Sequence, residues 1–316
     1  MNKFEGKGFP CLGRTMAKPF LKWVGGKTQI LESVLSLFPQ QIQNYHEPFV
    51  GGGSVLLGLL SDIRAGRRQL QGTMYASDSN PNLIALYKHI QTNPTGLLEQ
   101  LHQLNSSFKA IQVFKGTQTP TTLEEANTSQ ESYYYWIRKQ YNEEKTSLSL
   151  RASAMMLFLN KTCFRGVYRE NKSHEFNVPF GNYKILPTIY EENHIRAISQ
   201  LIQHVVFSCQ GFEVSLQRIQ SGDFVYLDPP YAPETETSFV GYTGDGFSLD
   251  QHKKLFELCK GFKAKHIQMV MSNANVPLVT TTFQPPDYEV NLVPARRAIH
   301  SKDPSATTDE VLLTNF

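Results

Sequence analysis

The chain has 316 residues and a mass of 35.9 kDa, about twice the usual single-domain length, which points to one large domain carrying an insertion or to two domains. With 40% apolar residues, 11% aromatics and 19% charge it has a globular composition, which excludes a disordered or repetitive chain. The net charge is only +3, but residues 1–85 hold nine Lys/Arg against five Asp/Glu, residues 86–185 twelve against eight, and the rest ten against fifteen, so the first two thirds suit a polyanionic partner.

The longest apolar stretches, Val55 to Leu60 and Ala154 to Leu159, fall far short of the roughly 20 residues of a membrane span, so no membrane association is expected. No apolar segment follows the lysines of Met1 to Pro10, so no secretory signal is read. Cys11, Cys163, Cys209 and Cys259 are scattered without metal-ligand spacing or a disulfide framework, which suits the reducing cytoplasm and predicts no metal.

In chain order, residues 1–17 lack periodicity and read as a tail. Ile30, Leu31, Val34, Leu35 and Phe38 recur at helical spacing after Gly25-Gly26-Lys27-Thr28. His46 to Val50 reads as a strand ending in Gly51-Gly52-Gly53-Ser54, Val55 to Ile63 as a helix, Thr73 to Ser77 as a strand with Asp78 at its carboxyl end, and Asn82 to Gln91 as a helix. Residues 92–190 differ: a polar Thr/Ser-rich stretch, helices at Tyr133 to Tyr141 and Ala152 to Leu159, then a basic aromatic segment from Lys161 to Tyr183. Strand and helix signals resume at His194 to His204, Val205 to Ser208, Phe224 to Leu227, Leu249 to Gly261, His266 to Met271, and Tyr288 to Val293 paired with Val311 to Asn315. This alternation predicts an α/β sheet, in residues 18–91 and 191–316, interrupted by a mostly helical second domain over 92–190.

Asp228-Pro229-Pro230-Tyr231 is the sharpest chemical signal, a tetrapeptide that arises by chance in a chain of this length about once in a thousand. It follows the buried-strand pattern Phe224 to Leu227, which places it where α/β sheets bind ligands. A proline-stopped strand end is the plain alternative. Such a loop suits methyl transfer to an amine conjugated with an aromatic ring, whose delocalised lone pair must be localised by accepting its two N–H bonds. Asp228 and the Pro229 carbonyl would accept them, with Pro230 stiffening the loop and Tyr231 stacking on a flipped base.

Phe49 to Gly53 forms a glycine turn that admits a ligand close to the backbone, and Asp78 stands at the next strand end, where an acid grips ribose hydroxyls. A dinucleotide fingerprint fails at Leu56, and a phosphate loop around Gly26-Lys27-Thr28 fails at Leu21.

Taken together, Lys22-Trp23-Val24-Gly25-Gly26-Lys27, Glu47 to Ser54, Asp78-Ser79-Asn80, Asn160 to Arg169, Phe176 to Gly181 and Asp228 to Tyr231 resemble, in order and spacing, the Dam-like (D12 class, alpha group) adenine-N6 DNA methyltransferases. The likeness spans residues 18–315. It implies a Rossmann-like methyltransferase sheet with an inserted target-recognition domain, S-adenosylmethionine as methyl donor with S-adenosylhomocysteine as product, and methylation of adenine N6 in double-stranded DNA, best guessed within GATC. A DNA-associated monomer is expected, with a separately acting cognate restriction endonuclease as one compatible partner. Another short DNA site, an RNA or cytosine-N4 substrate and a silent DNA-binding subunit are the competing readings; Asp228, where cytosine-N4 enzymes usually present Ser, and the Lys22 to Lys27 motif favour the DNA adenine group, and the intact tetrapeptide and glycines argue against a silent subunit.

The resemblance further implies that Trp23, Lys27, Phe49, Gly51, Gly53, Asp78, Phe212 and Asp228 hold the cofactor, and that Lys18, Lys161, Arg165, Tyr168, Arg169, Pro179 and Tyr183 face DNA, with Arg169 reading a guanine. Two departures stand out. Gly211 precedes Phe212 where the family commonly has an acid, leaving Gln210 or Glu213 to replace its contact, and Arg165 stands where GATC enzymes often have Asn. Lys172 and Lys184 extend the basic segment, and softer likenesses cover Phe239, Tyr242, Phe247, Ser272-Asn273 and Arg296 to Ile299.

Overall fold

The computed structural model describes residues 16–181, 183, 185–234, 247–296 and 307–316. Lys184, Phe239, Tyr242 and Arg297 to Ile299 lie outside them, and of Arg296 only the backbone is described.

Seven strands form one sheet: β1 (Tyr45–Glu47), β2 (Met74–Asp78), β3 (Val205–Cys209), β4 (Phe224–Leu227), β5 (Gln268–Ala274), β6 (Glu289–Arg296) and β7 (Thr307–Thr314). Their order across the sheet is β3-β2-β1-β4-β5-β7-β6, parallel from β3 to β5, with β7 antiparallel to both neighbours. From β1 the chain winds outward to β2 and β3, then returns across β1 to lay down β4 and β5. The strand order therefore reverses between β1 and β4, and the crevice at their carboxyl ends is where a doubly wound sheet receives a ligand.

Alternate residues of the central strands enter different cores, as the two-residue period of a strand requires. Phe224 and Tyr226 of β4 join one buried cluster with α1 (Leu31–Ser36), α2 (Ser54–Arg64) and α3 (Pro81–Thr92); Val225 and Leu227 join another, and Met269 and Met271 of β5 lie with them. Both faces of the sheet are thus covered, as a parallel sheet demands.

Between α3 and β3 the chain runs through α4 (Pro94–Ala110), α5 (Leu123–Ala126), α6 (Gln130–Glu144), α7 (Leu150–Thr162) and α8 (Glu192–Leu201). Short side-chain caps start most of them: Asn93 accepts from Gly96 N, Ser129 from Ser132 N and Ser149 from Ala152 N. α7 is buried almost all round, from Ala152 to Asn160, because it packs between α3, α4 and α6. Its apolar residues belong to the same cluster as those of α3, so the helical insertion and that face of the sheet share one core. The second face is covered by α9 (Phe212–Leu216), α10 (Leu249–Lys260) and α11 (Pro277–Thr280).

Four details depart from the sequence expectations. The first strand ends at Glu47 instead of Val50, since Pro48 has no N–H to give a neighbouring strand. The fifth starts at Gln268 instead of His266, whose φ of 54° is left-handed and ends the preceding turn. The helix expected from Gln29 to Phe38 splits into a 3₁₀ turn, Lys27–Gln29, and α1. Helix α4 was not legible because it buries only Leu97, Leu98, Leu101 and Phe108 among polar neighbours; Asn93-Pro94, its cap and first residue, was its one clear signal.

Candidate active site

The carboxyl ends of β1, β2 and β4 carry the quoted motifs to one crevice. Asp228, the first residue after β4, is paired with Lys27, Nζ to Oδ1 2.7 Å, and the lysine head is almost wholly buried. The same ammonium donates to the Gly25 carbonyl at 2.6 Å and lies 4.8 Å from the centre of the Tyr231 ring. Lys27 is placed by the short turn that precedes α1, whose backbone N–H donates to Ser54 Oγ at the head of α2. A glycine-rich turn before one helix and the start of another thus converge on the Asp228 to Tyr231 loop.

Burial pushes the Asp228 carboxyl up to about 6; Lys27 opposes this by its charge and hydrogen bond, and Glu310 adds to it. Glu47, at the end of β1, is buried too, accepts from the Tyr45 hydroxyl at 2.7 Å, and is pushed up to about 8 by burial, with Asp228 contributing. Burial, then the charges of Asp228 and Glu310, raise the Tyr231 phenol, so it stays protonated and donates to Glu310 Oε2. Pro229 is buried and Pro230 half-buried. The next residue is pinned as well: Ala232 N–H donates to Asn273 Oδ1 at 2.9 Å. Desolvated carboxylates beside a single ammonium make a site that accepts hydrogen bonds strongly.

Beside this loop runs the glycine turn. Gly51 and Gly53 have φ of 47° and 71°, the left-handed region that favours glycine. A Cβ on Gly51 or Gly52 would meet Trp23 at 2.9 or 2.8 Å, and one on Gly53 the Tyr87 hydroxyl at 2.4 Å. That hydroxyl donates to the Gly51 carbonyl at 2.9 Å. Asp78 accepts from Gly51 N at 3.1 Å and Asn80 N at 2.9 Å, so the β2 end is tied to the turn. Phe49 and Phe212 stack with centroids 5.7 Å apart and planes 25° from parallel, and Phe247 packs edge-on to Phe49 at 6.0 Å. Residues expected to hold a cofactor are therefore adjacent. Of the candidates to replace the missing acid, Gln210 donates to Ser215 Oγ at 3.0 Å and Glu213 pairs with Lys254 at 2.7 Å.

The basic segment after α7 folds into a tight turn and a hairpin-like loop. Phe164 and Arg165 are exposed, with the Arg165 guanidinium 5.2 Å from the Phe164 ring centre. Arg165 takes φ of 56°, which Asn tolerates better than Arg does. Arg169 is exposed and donates from Nε to Asn177 Oδ1 at 2.8 Å; Pro179, Lys172 and Lys18 are exposed too. Tyr183, half-buried, donates to the Cys163 carbonyl at 2.7 Å, and Lys22 Nζ lies 5.6 Å from its ring centre. Burial, then the charge of Lys22, lowers Lys161 to about 8.

Tyr168 stands apart from the other residues expected at DNA. It is buried, stacks on Trp23, and bonds through its hydroxyl to Tyr141 and Glu170, because the segment turns inward between Gly166 and Arg169.

The residues 23–299 match the model of the D12 class N6 adenine-specific DNA methyltransferases. The chain belongs to that family. It is 33% identical over 309 residues to the Type II methyltransferase M.MjaIII of Methanocaldococcus jannaschii, covering 95% of this chain and 99% of that one. It is 31% identical to the Type II methyltransferase M1.LlaDCHI of Lactococcus lactis subsp. cremoris, with 95% of each chain covered, and 34% identical to the DNA adenine methylase of Haemophilus influenzae, with 81% and 79% covered. This is a DNA adenine-N6 methyltransferase with a Rossmann-like α/β fold.

Within the methyltransferase, three residues emerge that sequence reasoning assigned no role. Glu310 comes from β7, far along the chain, and no local pattern marked it. Glu47 was quoted inside the glycine motif without a function. Asn160 was quoted inside the basic motif; in the fold its side chain accepts from Lys22 N at 2.9 Å and donates to the Lys22 carbonyl at 2.7 Å and the Gly166 carbonyl at 3.1 Å. Among the described residues no group of three or more His, Cys, Asp or Glu could hold a metal ion, and no helix is long and apolar enough to cross a membrane.

Proposed function

We propose that the enzyme flips adenine out of duplex DNA and methylates N6 directly from S-adenosylmethionine, within GATC. The observation that carries this reading is the half-buried Asp228 carboxylate, held by Lys27 at the head of a proline-stiffened loop and beside the glycine turn. The residues fit that donor: Gly51 and Gly53 hold the left-handed turn that brings bare backbone beside Asp78, Asp78 stands at the β2 end where it can accept from a diol, and Phe49 and Phe212 offer aromatic faces.

When bound, S-adenosylmethionine supplies an electrophilic methyl group. The protein's part is to make the amine nucleophilic. Lys27 takes Asp228 Oδ1, which leaves Oδ2 to accept one N6–H, while the Pro229 carbonyl accepts the other. Both acceptors draw the nitrogen lone pair out of ring conjugation, and the Tyr231 ring supports the extruded base by stacking. Residues 92–190 serve as target-recognition domain between the catalytic parts 18–91 and 191–316. Exposed Lys18, Arg165, Arg169 and Pro179, with Lys161 and Tyr183, face the duplex, and Arg169 reads a guanine. The enzyme works as a monomer in the cytoplasm, and a cognate restriction endonuclease, where one exists, acts separately.

The test is methylation of unmethylated plasmid with S-adenosylmethionine, followed by single-molecule sequencing. N6-methyladenine confined to GATC is expected; another fixed motif would replace only the site, and no modified adenine would overturn the reading. Asp228→Ala is expected to abolish methylation with little loss of cofactor binding, and retained turnover would sink the mechanism.

A further inference from the structure

We propose that Glu310 is a positioning residue of the methyl-transfer site: its carboxylate holds the Tyr231 hydroxyl and so fixes the ring against which the target base stacks. This rests on the function proposed above. Tyr231 is held at three points. Lys27 lies 4.8 Å from the centre of its ring, the next backbone N–H is bound by Asn273 at 2.9 Å, and its hydroxyl donates to Glu310 Oε2. Only the last contact sets the long axis of the ring, because the others act at its base and face.

The acid reaches this place through topology. β7 runs antiparallel to both of its neighbours, and Glu310 pairs in register with Ala274 at the carboxyl end of β5. This antiparallel strand, next to the sheet edge, thus delivers a carboxylate to the mouth of the crevice, from a part of the chain about eighty residues beyond the loop it supports.

A neutral acceptor would also hold the hydroxyl, though less strongly, and the charge has a consequence of its own. The groups facing Asp228 are Lys27 from the turn before α1, Glu47 from β1, Tyr226 from β4, Tyr231 from its own loop and Glu310 from β7. Glu310 raises the Asp228 carboxyl, and Lys27 lowers it. The acid therefore opposes the lysine and keeps Asp228 a more basic acceptor for the amine.

The experiment compares wild type with Glu310→Ala, Glu310→Gln, Tyr231→Phe and the double variant Tyr231→Phe/Glu310→Ala on unmethylated duplex. The readouts are kcat, KM for DNA and for cofactor, and the pH profile of kcat. Glu310→Ala is expected to lower kcat roughly 10- to 100-fold with KM for cofactor unchanged. In the Tyr231→Phe background the same change is expected to cost several-fold less. Glu310→Gln, which keeps an acceptor and the fold, is expected to move the acid limb of kcat down by a few tenths of a pH unit or more. An active wild type whose kcat and acid limb are unmoved by either Glu310 variant, or whose loss is equal with and without the Tyr231 hydroxyl, overturns the proposal. A wild type that makes no N6-methyladenine overturns the functional reading, and this inference with it.

Discussion

Trp23 and Tyr168 stack with centroids 5.3 Å apart and planes 24° from parallel. Trp23 also lies against the Gly51-Gly52 turn, and Tyr168 comes from the helical insertion, its hydroxyl continuing to Tyr141 at 3.3 Å and to Glu170 at 2.8 Å. Glu170 in turn pairs with Lys145 at 2.7 Å. The glycine turn and the base of the hairpin-like loop are therefore in mechanical contact through two aromatic rings.

Tyr168→Leu removes the ring that backs Trp23, worth about 0.5–1.5 kcal/mol for an aromatic pair. Binding of S-adenosylhomocysteine in the absence of DNA is expected to weaken about 2- to 10-fold. Titration calorimetry measures it; unchanged affinity would show that Trp23 keeps its place without Tyr168.

Asn160 ties the entry segment at Lys22 to α7 and to the Gly166 turn with three hydrogen bonds from one buried amide. Asn160→Ala leaves those backbone groups without their partner and is expected to cost about 2–4 kcal/mol of stability. Urea unfolding followed by far-UV circular dichroism gives the figure.

Gly53→Ala meets two obstacles, the left-handed φ of 71° and the Tyr87 hydroxyl 2.4 Å from the new Cβ. Backbone strain of about 1–2 kcal/mol and displacement of a buried hydrogen bond worth about 1 kcal/mol add to an expected loss of roughly 2–3 kcal/mol. Because Tyr87 is fully buried, it has little room to retreat. Thermal unfolding and cofactor titration of the same variant should fall together.

The pH dependence turns on Asp228. Burial pushes its folded carboxyl up to about 6 from an ordinary 3.8, and the proposed mechanism uses the ionised form as acceptor, so kcat is expected to fall as pH drops through about 6. Lys27 lowers that carboxyl, so Lys27→Met is expected to carry the acid limb above 6. The sign for stability is opposite: the folded state binds this proton more tightly, so the contribution of Asp228 is most favourable at low pH and is lost as pH rises from about 4 through about 6. A pH–rate profile of both proteins checks the first claim and unfolding midpoints between pH 4 and 7 the second.

Much of the sheet could be read along the chain because several of its strands are short runs rich in apolar residues, as at Phe224 to Leu227 before Asp228-Pro229, whereas Tyr45-His46-Glu47 is polar and ends before Pro48, three residues short of the expected Val50. The pairing of β6 with β7 was also legible, though Glu310 on that hairpin was not. α4 escaped because a helix needs only one apolar stripe, and four buried residues among seventeen leave a weak one. Tyr168 looked like its exposed neighbours Phe164 and Arg169, since nothing in a basic aromatic run says which ring turns inward.

The sequence by itself determined the reaction class and the family, because Asp228 to Tyr231 and the glycine turn are contiguous segments whose chemistry is local: a rigid pair of acceptors needs adjacent residues, and a left-handed turn needs glycine. Only the tertiary structure decided what surrounds them. Lys27 reaches Asp228 across two hundred residues, Glu310 meets Tyr231 from an antiparallel strand, and Trp23 meets Tyr168 from the insertion. Those contacts depend on the winding of the sheet and on burial in a shared core, and neither leaves a period or spacing along the chain.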